Sequence, residues 1–336
     1  MTNITYRMKG EYTLTVSRLD GTVRKKIGPF PNLITNVGLA RITEGTWCWE
    51  CAIGSGSSTP TVTQTTLDNV FARKVGTESA SSIPSGFTGH PTVFTTGQAQ
   101  LKETLLWRFP IGTVVGNASE VAVGWDSNGT FQAFSRSLIL DEFGEPTTFT
   151  FIETDIVDVE YTLSMYVPTE DIIQSLFIGT TEHMVTSRPI RVGTTSWRIF
   201  GSTGNRFTGR LFGYASTHTT AWPQWVYSAI AFTDWDHPDL QVQSTSTGSG
   251  DTSEGNPDRR NTINQTKNGV YSRDSLLTWE YPRGNYLSGI GWLQLVSNQA
   301  STNGPRTTRM VRIEPPVMKE DIHNFAITLR NTFARY

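Results

Sequence analysis

The stretch EVAVGWDSNGTFQAFSRSLIL, residues 120–140, predicts an antiparallel β-hairpin. Apolar residues dominate both arms, and Asp-Ser-Asn-Gly at 126–129 supplies the turn between them. A second turn, EFGEP at 142–146, leads into TTFTFIET and then into DIVDVEYTLSMYV, which ends at residue 167. Successive strands joined by short turns form a meander, and this meander predicts an all-β fold built from antiparallel sheets.

A hairpin of the same kind is predicted earlier in the chain. In GEYTLTVSRLDGTVRKKIG, residues 10–28, apolar side chains alternate at Tyr12, Leu14 and Val16, and Asp20-Gly21 supplies a tight turn. Helices are predicted to be few and short. The candidates are residues 35–43 and 170–176, the second with Thr169 as its cap, and an ambiguous stretch at 65–74.

Two blocks of sequence recur at a nearly constant spacing. TLLWRFPIGT at 104–113 resembles LLTWEYPRGN at 276–285 with an offset of 172 residues, and DIVDVEYTL at 155–163 resembles DIHNFAITL at 321–329 with an offset of 166. The equivalent positions in the first pair of blocks are Trp107, Phe109, Pro110 and Gly112, matched by Trp279, Tyr281, Pro282 and Gly284. We expect these residues to be equivalent core anchors of a duplicated fold.

The repeat predicts the domain organisation. We expect two antiparallel β-sandwich domains of jelly-roll-like character, 1–168 and 169–336, related by internal duplication. Two segments rich in Ser, Thr, Gly and Asn, 76–98 and 243–269, are too polar to form elements alone. We expect these long loops to become ordered against neighbouring subunits; flexible linkers are the alternative.

Composition excludes several classes of partner. Charged residues are 17% of the chain and the net charge is −2, with no basic run beyond residues 24–26, so no nucleic-acid partner is predicted. No run approaches the ~18–20 apolar residues of a membrane helix, and the first residues lack the apolar core of a signal peptide. We therefore expect a protein that is made in the cytoplasm and does not insert into membranes.

The stretch TWCWECAIGSGSSTP, residues 46–60, combines a Cys-x-x-Cys with a glycine-rich loop. A strand through Cys48 and Cys51 would hold their Cα atoms about 10 Å apart with the side chains on opposite faces, which suits neither a disulfide nor a shared zinc ion. Gly54 and Gly56 lack the third glycine of a dinucleotide loop and the lysine of a P-loop. We expect structural cysteines, a turn at the glycines, and no cofactor or metal.

Two clusters could carry chemistry. Asp234, Asp236, His237 and Asp239 lie in FTDWDHPDL and could bind a divalent cation or perform the acid–base work of a glycosidase. The alternative, which we favour, is a polar turn closed by a proline. Trp222, Trp225 and Tyr227 would stack against a glycan if they are exposed; buried, they are sandwich core, and we favour the core.

Several segments resemble virion proteins of tailed bacteriophages. PFPNLITNVGLARI at 29–42, followed by CAIGSGSSTPTVTQTTLDN at 51–69, resembles the first parts of tail-fibre, tail-tip and baseplate-type structural proteins. AFSRSLILDEFGEPTTFTFIETDIVDVEYTL at 133–163 and IEPPVMKEDIHNFAITLRNTFAR at 313–335 are similar to their β-sandwich strands. The resemblance covers most of residues 29–166 and the last thirty or so. It implies a particle component without catalytic residues.

The expected function is therefore a non-enzymatic structural role in a phage virion. We expect the protein in the tail, as a fibre, tip or nozzle-associated component made in the host cytoplasm, with copies of itself and other tail proteins as partners through symmetric interfaces. One alternative is a receptor-binding module that takes host-surface glycan at Trp222, Trp225 and Tyr227. Another is a polysaccharide-degrading enzyme that uses Asp234 and Asp236.

Overall fold

The structure, a computed structural model, describes residues 2–42, 47–76, 90–95, 97–192, 196–198, 206–207, 224–232, 259–260, 263–267, 269–279, 290–298, 306–318 and 325–336. These residues form strands and a single helix, which confirms the predicted all-β class.

The helix is α1 (Asn36–Ile42). The strands are β1 (Thr2–Ser17), β2 (Val23–Pro31), β3 (Leu33–Ile34), β4 (Glu50–Gly54), β5 (Val70–Val75), β6 (His90–Thr95), β7 (Gln98–Phe109), β8 (Gly116–Ala118), β9 (Glu120–Ser127), β10 (Thr130–Leu138), β11 (Phe149–Phe151), β12 (Ile156–Pro168), β13 (Ile172–Ile178), β14 (Thr181–Val192), β15 (Ser196–Arg198), β16 (Arg206–Phe207), β17 (Gln224–Phe232), β18 (Arg259–Arg260), β19 (Ile263–Lys267), β20 (Ser272–Trp279), β21 (Ile290–Asn298), β22 (Arg306–Val317) and β23 (Phe325–Arg335).

The largest sheet has nine strands and is organised around β1. Its order is β16-β6-β7-β12-β1-β23-β20-β19, and β2 also pairs with β1. One edge of β1 pairs antiparallel with β12; the other edge pairs in parallel with β23 over residues 2–8 and antiparallel with β2 over residues 11–17. Strands from both sides of residue 168 therefore join one sheet, and the predicted domains 1–168 and 169–336 stay a prediction.

One face of this sheet is buried along β1. Its buried side chains alternate with half-buried or exposed ones, and they include Ile4, Tyr12 and Val16. This alternation follows from the two-residue period of a strand, which sends successive side chains to opposite faces. A five-stranded sheet, of order β3-β10-β9-β4-β5, contributes Val123 and Phe134 to the same hydrophobic core.

A second core lies in the later part of the chain. A seven-stranded sheet has the order β13-β14-β22-β21-β17-β18, with β15 paired to β14. Val185 and Ile313 of this sheet pack in one cluster with Leu277 and Ile327 of the nine-stranded sheet. A short pair, β8 with β11, lies outside these sheets.

The two predicted hairpins are confirmed, and one predicted helix is not. The predicted meander is wrong beyond β10, because β11 pairs with β8, and β12 pairs with β7 and β1. β1 pairs with β2, and β9 pairs with β10 across a turn in which Asn128 and Gly129 have positive φ angles of 54° and 84°. The helix expected at 35–43 is α1. The helix expected at 170–176 is wrong, because Ile172–Ile178 is strand β13 and pairs with β14. The ambiguous stretch 65–74 leads into strand β5.

The two repeat blocks pair with each other in the same register in both halves of the chain. Trp107 of β7 lies opposite Val159 of β12, and Trp279 of β20 lies opposite Phe325 of β23. The sequence offsets of 172 and 166 residues carry the first pair onto the second.

The structure places the predicted anchors unevenly. Trp107 and Phe109 are buried, whereas Pro110 and Gly112 are exposed. Trp279 ends β20, and Tyr281, Pro282 and Gly284 lie outside the described residues.

Candidate functional site

The two clusters that the sequence offered as chemical sites fall largely outside the described residues. Trp222 and the four residues of the acidic patch, Asp234, Asp236, His237 and Asp239, lie outside them. Trp225 and Tyr227 lie two residues apart on β17. In the part of the chain that the structure describes, no group of three His, Cys, Asp or Glu side chains is placed to hold a metal ion, and no helix is long and apolar enough to cross a membrane. The glycan platform and the acidic patch stay predictions.

The cysteines belong to the first hydrophobic core. β4 begins at Glu50, so Cys48 precedes the strand, and both thiols enter the same core instead of opposite faces of one strand. Neither forms a disulfide, and both are buried. Burial raises the pKa of the Cys51 thiol well above its ordinary value, because a thiolate would lose its hydration there. This thiol is therefore held in its neutral, unreactive form.

The glycine-rich loop that follows β4 encloses a carboxylate. Glu120, the first residue of β9, is fully buried, and its Oε1 accepts hydrogen bonds from the main-chain N–H of Gly56 at 2.8 Å and of Asn69 at 3.0 Å. Its Oε2 accepts a third from the main-chain N–H of Asp68 at 3.2 Å. The segment 54–69 thus wraps around one side chain of the neighbouring strand.

Close approach explains both glycines of the loop. A Cβ atom on Gly54 would lie 2.5 Å from Oε1 of Glu120, and a Cβ on Gly56 would lie at the same distance from the same oxygen. Real Cβ contacts essentially never fall below 3.0 Å. The main chain of Gly-Ser-Gly at 54–56 therefore packs closely around an anion, and that anion is the side-chain carboxylate of Glu120.

Arg136 of β10 completes the cluster. Its Nη2 lies 2.9 Å from Oε2 of Glu120, and the side chains of Arg136 and Glu120 are 1% and 0% exposed. The same guanidinium donates to both carboxylate oxygens of Asp68, at 3.1 and 3.0 Å, and to the main-chain oxygen of Ser58 at 3.0 Å. Burial raises the pKa of Asp68, but hydrogen bonds from Arg136 and Ser58 lower it by a larger amount, and the resulting pKa is about 2.

We refer to Glu120, Arg136, Asp68 and the loop 54–69 as the clasp. Its charged groups are bonded to one another, and the Glu120–Arg136 pair is closed to solvent. A buried charge is tolerated when it is paired and hydrogen-bonded, as each is here. The clasp therefore ties the loop to β9 and β10, and its chemistry is that of a structural ion cluster.

The hairpin of β13 and β14 exposes three apolar side chains on one face, beside Ser175 and Glu182, which are hydrogen-bonded to each other. Ile173 and Phe177 of β13 are 59% and 65% exposed, and Met184 of β14 is 51% exposed. The two strands pair in continuous register across a two-residue turn, in which Gly179 has a φ angle of 62°. We call Ile173, Phe177 and Met184 the apolar strip.

Sequence reasoning missed both features. Single charges inside apolar strands, Glu120 in EVAVGW and Arg136 in AFSRSLIL, are a signal of a buried ion pair, because an unpaired charge could not remain there. The apolar strip was missed because the sequence predicts a helix at 170–176, where the structure has strand β13. The chain matches no family model, no curated protein and no solved structure.

Proposed function

We propose that the chain is a non-enzymatic structural subunit of a tailed-phage virion, located in the tail and assembled through repeated subunit interfaces. The observation that carries this proposal is the clasp. The motif in which the sequence resembles virion proteins, residues 51–69, supplies the main-chain donors of Gly56, Asp68 and Asn69 that hold Glu120. A motif whose groups are bonded inside the fold has a role in fixing that fold, which supports a structural protein.

The apolar strip supports the assembly part of the proposal. Scattered exposed apolar residues are normal on soluble proteins, but a group of them on one face marks a surface that another molecule covers. Ile173, Phe177 and Met184 form such a group on two paired strands. A subunit that repeats around a tail needs a surface of this kind on every copy.

We also propose the finer architecture, two antiparallel β-sandwich domains related by duplication. Two cores support the sandwiches, since each joins the nine-stranded sheet to a different sheet. The shared register of Trp107 with Val159 and of Trp279 with Phe325 supports the duplication. The second copy has six fewer residues between its two blocks than the first, yet the strands pair at equivalent positions, as expected of two strand pairs that descend from one ancestor.

Mass spectrometry of purified phage particles from the source of this sequence tests the virion role. Particles are banded on a density gradient and the chain is quantified against known tail and capsid proteins. We expect the chain to co-sediment with the particles at a constant molar ratio above one copy each, while an abundant non-virion protein of the same lysate falls away. If the chain is plentiful in the lysate and falls away with that control, the proposal is wrong.

A further inference from the structure

Strand β13 is an edge of the seven-stranded sheet. Within the described residues it pairs with β14 alone. Because a two-residue turn makes Ile178 and Thr181 a hydrogen-bonded pair, alternate residues of β13 direct their main-chain groups toward β14 and the others direct them away. The outward groups belong to Ile173, Ser175 and Phe177. Each of these residues presents an N–H and a C=O along the free edge.

This edge lacks the protection that several other edges of the described strands carry. Proteins block edge-to-edge pairing with charged residues, prolines or bulges on the exposed strand. The edge strands that carry such residues are β2 with Arg24, Lys25, Lys26, Pro29 and Pro31, β5 with Arg73 and Lys74, and β19 with Lys267. β13 has the sequence IIQSLFI, without a charge or a proline, and its pairing with β14 has no bulge.

The sequence of β13 is complementary to itself in one antiparallel register. A two-fold axis through Ser175 sets Ser175 of each copy opposite its counterpart and Ile173 opposite Phe177 of the second copy. Each of these facing pairs exchanges two main-chain hydrogen bonds. The Ile–Phe pairs lie on the face that carries the apolar strip, where directly opposite apolar side chains stabilise a sheet. A register shifted by two residues would place both large side chains opposite small or charged ones.

We propose that two copies of this chain join edge to edge through β13, antiparallel and two-fold symmetric about Ser175. The seven-stranded sheets of the two copies become one continuous sheet, and the interface is isologous because the same strand serves both subunits. This inference deepens the proposed function, since it identifies the subunit's partner as a second copy. Only its biological role rests on the proposed function, because the pairing itself can be measured on the purified chain.

Engineered disulfides test the register directly. In a hydrogen-bonded antiparallel pair the Cα atoms lie about 5.5 Å apart, within the range of a disulfide. We expect the full-length Ser175→Cys variant to form a covalent dimer on mild oxidation. In the matched control Ile173→Cys, the two positions are offset by four residues, about 13 Å along the strand, so no cross-link is expected. Cys48 and Cys51 are buried and do not compete in the folded protein.

Sedimentation velocity of the unmodified chain and of one charged variant tests the association itself. We expect a dimer that Phe177→Lys weakens at least about tenfold in dissociation constant, because the change removes two cross-strand pairs per dimer. Phe143→Lys is the control, since Phe143 is 82% exposed in the 141–146 turn and should leave the dimer unchanged.

The proposal is overturned if the unmodified chain stays monomeric at all concentrations, or if Ile173→Cys cross-links as readily as Ser175→Cys. A monomer that is nevertheless found in purified particles would overturn the β13 pairing and leave the virion role intact. A symmetric dimer that is absent from particles would overturn the virion role and leave the β13 pairing intact.

Discussion

At the scale of single residues, the clasp shows how this chain accommodates a charge in its interior. Burying Glu120 costs several kcal/mol of hydration free energy unless other groups replace the water. Here three main-chain N–H groups and one guanidinium do so, and Arg136 is in turn shared with Asp68. If the loop moved away, the carboxylate of Glu120 and the guanidinium of Arg136 would stay buried without their partners in the loop.

Replacing Glu120 by Gln should therefore destabilise the protein strongly. We expect a loss of about 3 kcal/mol in the free energy of unfolding, the lower end for a buried pair broken on one side, because Asp68 still neutralises Arg136. Equilibrium urea unfolding measures it. The matched control is Asp158→Asn, which changes the same chemical group in the Arg108–Asp158 pair, whose arginine is 55% exposed. The control should lose less than about 1 kcal/mol, and equal losses in the two variants would contradict the role of the clasp.

Asp68 gives the clasp a dependence on acid. Its folded-state pKa, about 2, is below the ordinary value of 3.8, so the carboxylate contributes stability above pH 3.8 that is lost as the pH falls towards 2. We expect Asp68→Asn to be less stable than the natural chain at pH 7 and to lose less melting temperature between pH 5 and pH 2.5. Glu142→Gln, an exposed carboxyl in the 141–146 turn, should reproduce the natural acid dependence. An equal loss of melting temperature between pH 5 and pH 2.5 in Asp68→Asn and in the natural chain would contradict this prediction.

At the scale of elements, β13 shows where local sequence signals fail. Thr169, Glu170 and Asp171 resemble the start of a helix, and the following residues could continue one. Ile172 and Ile173 favour strands, and Gly179 makes the tight turn that lets β14 fold back onto them. Pairing with β14 decides that this segment forms a strand. That partner strand lies outside residues 169–176, so the local sequence does not reveal it.

The paired repeat blocks make a prediction for the element β20. Trp107→Ala should cost about 3–5 kcal/mol, since the indole is fully buried and donates from Nε1 to the main-chain oxygen of Trp49. If the blocks are duplicates, Trp279→Ala should cost a similar amount. Thermal and urea unfolding measure both, with Phe143→Ala as an exposed control that should lose less than about 0.5 kcal/mol. A control-like loss for Trp279→Ala would remove the equivalence.

At the scale of the whole molecule, β1 connects the two halves of the chain. Its residues 2–8 pair with β23, and Tyr6 stacks on Phe333 with ring centroids 5.8 Å apart. Tyr336, which follows β23, stacks on Tyr166 of β12 at 4.0 Å. Beyond β1, therefore, the end of the described chain also stabilises strands of its first half.

A chain ending at residue 324 should expose this dependence. We expect the amides of residues 2–8 to lose protection from hydrogen exchange, because their partner strand is gone. The peptide covering β9 serves as the internal control, since it lies between β4 and β10 and should remain protected. Unchanged protection of residues 2–8 would show that the pairing with β23 contributes little.

The sequence predicted the all-β class and the hairpins β1–β2 and β9–β10, because alternation and turn residues lie within one short window. It did not predict the clasp, because Gly56 and Glu120 are 64 residues apart and only the fold brings them together. The parallel pairing of β1 with β23 spans nearly the whole chain and has no local signature. Features set by contacts between distant residues therefore required the structure.

Immunogold electron microscopy with an antibody against this chain tests the central claim, a structural subunit of the virion, most directly. Particles are purified from the source of the sequence and compared with particles treated with an unrelated antibody. The account predicts gold at the tail, at several copies per particle and at a constant position. Particles without label, when the same antibody detects the chain in the infected lysate, would contradict it.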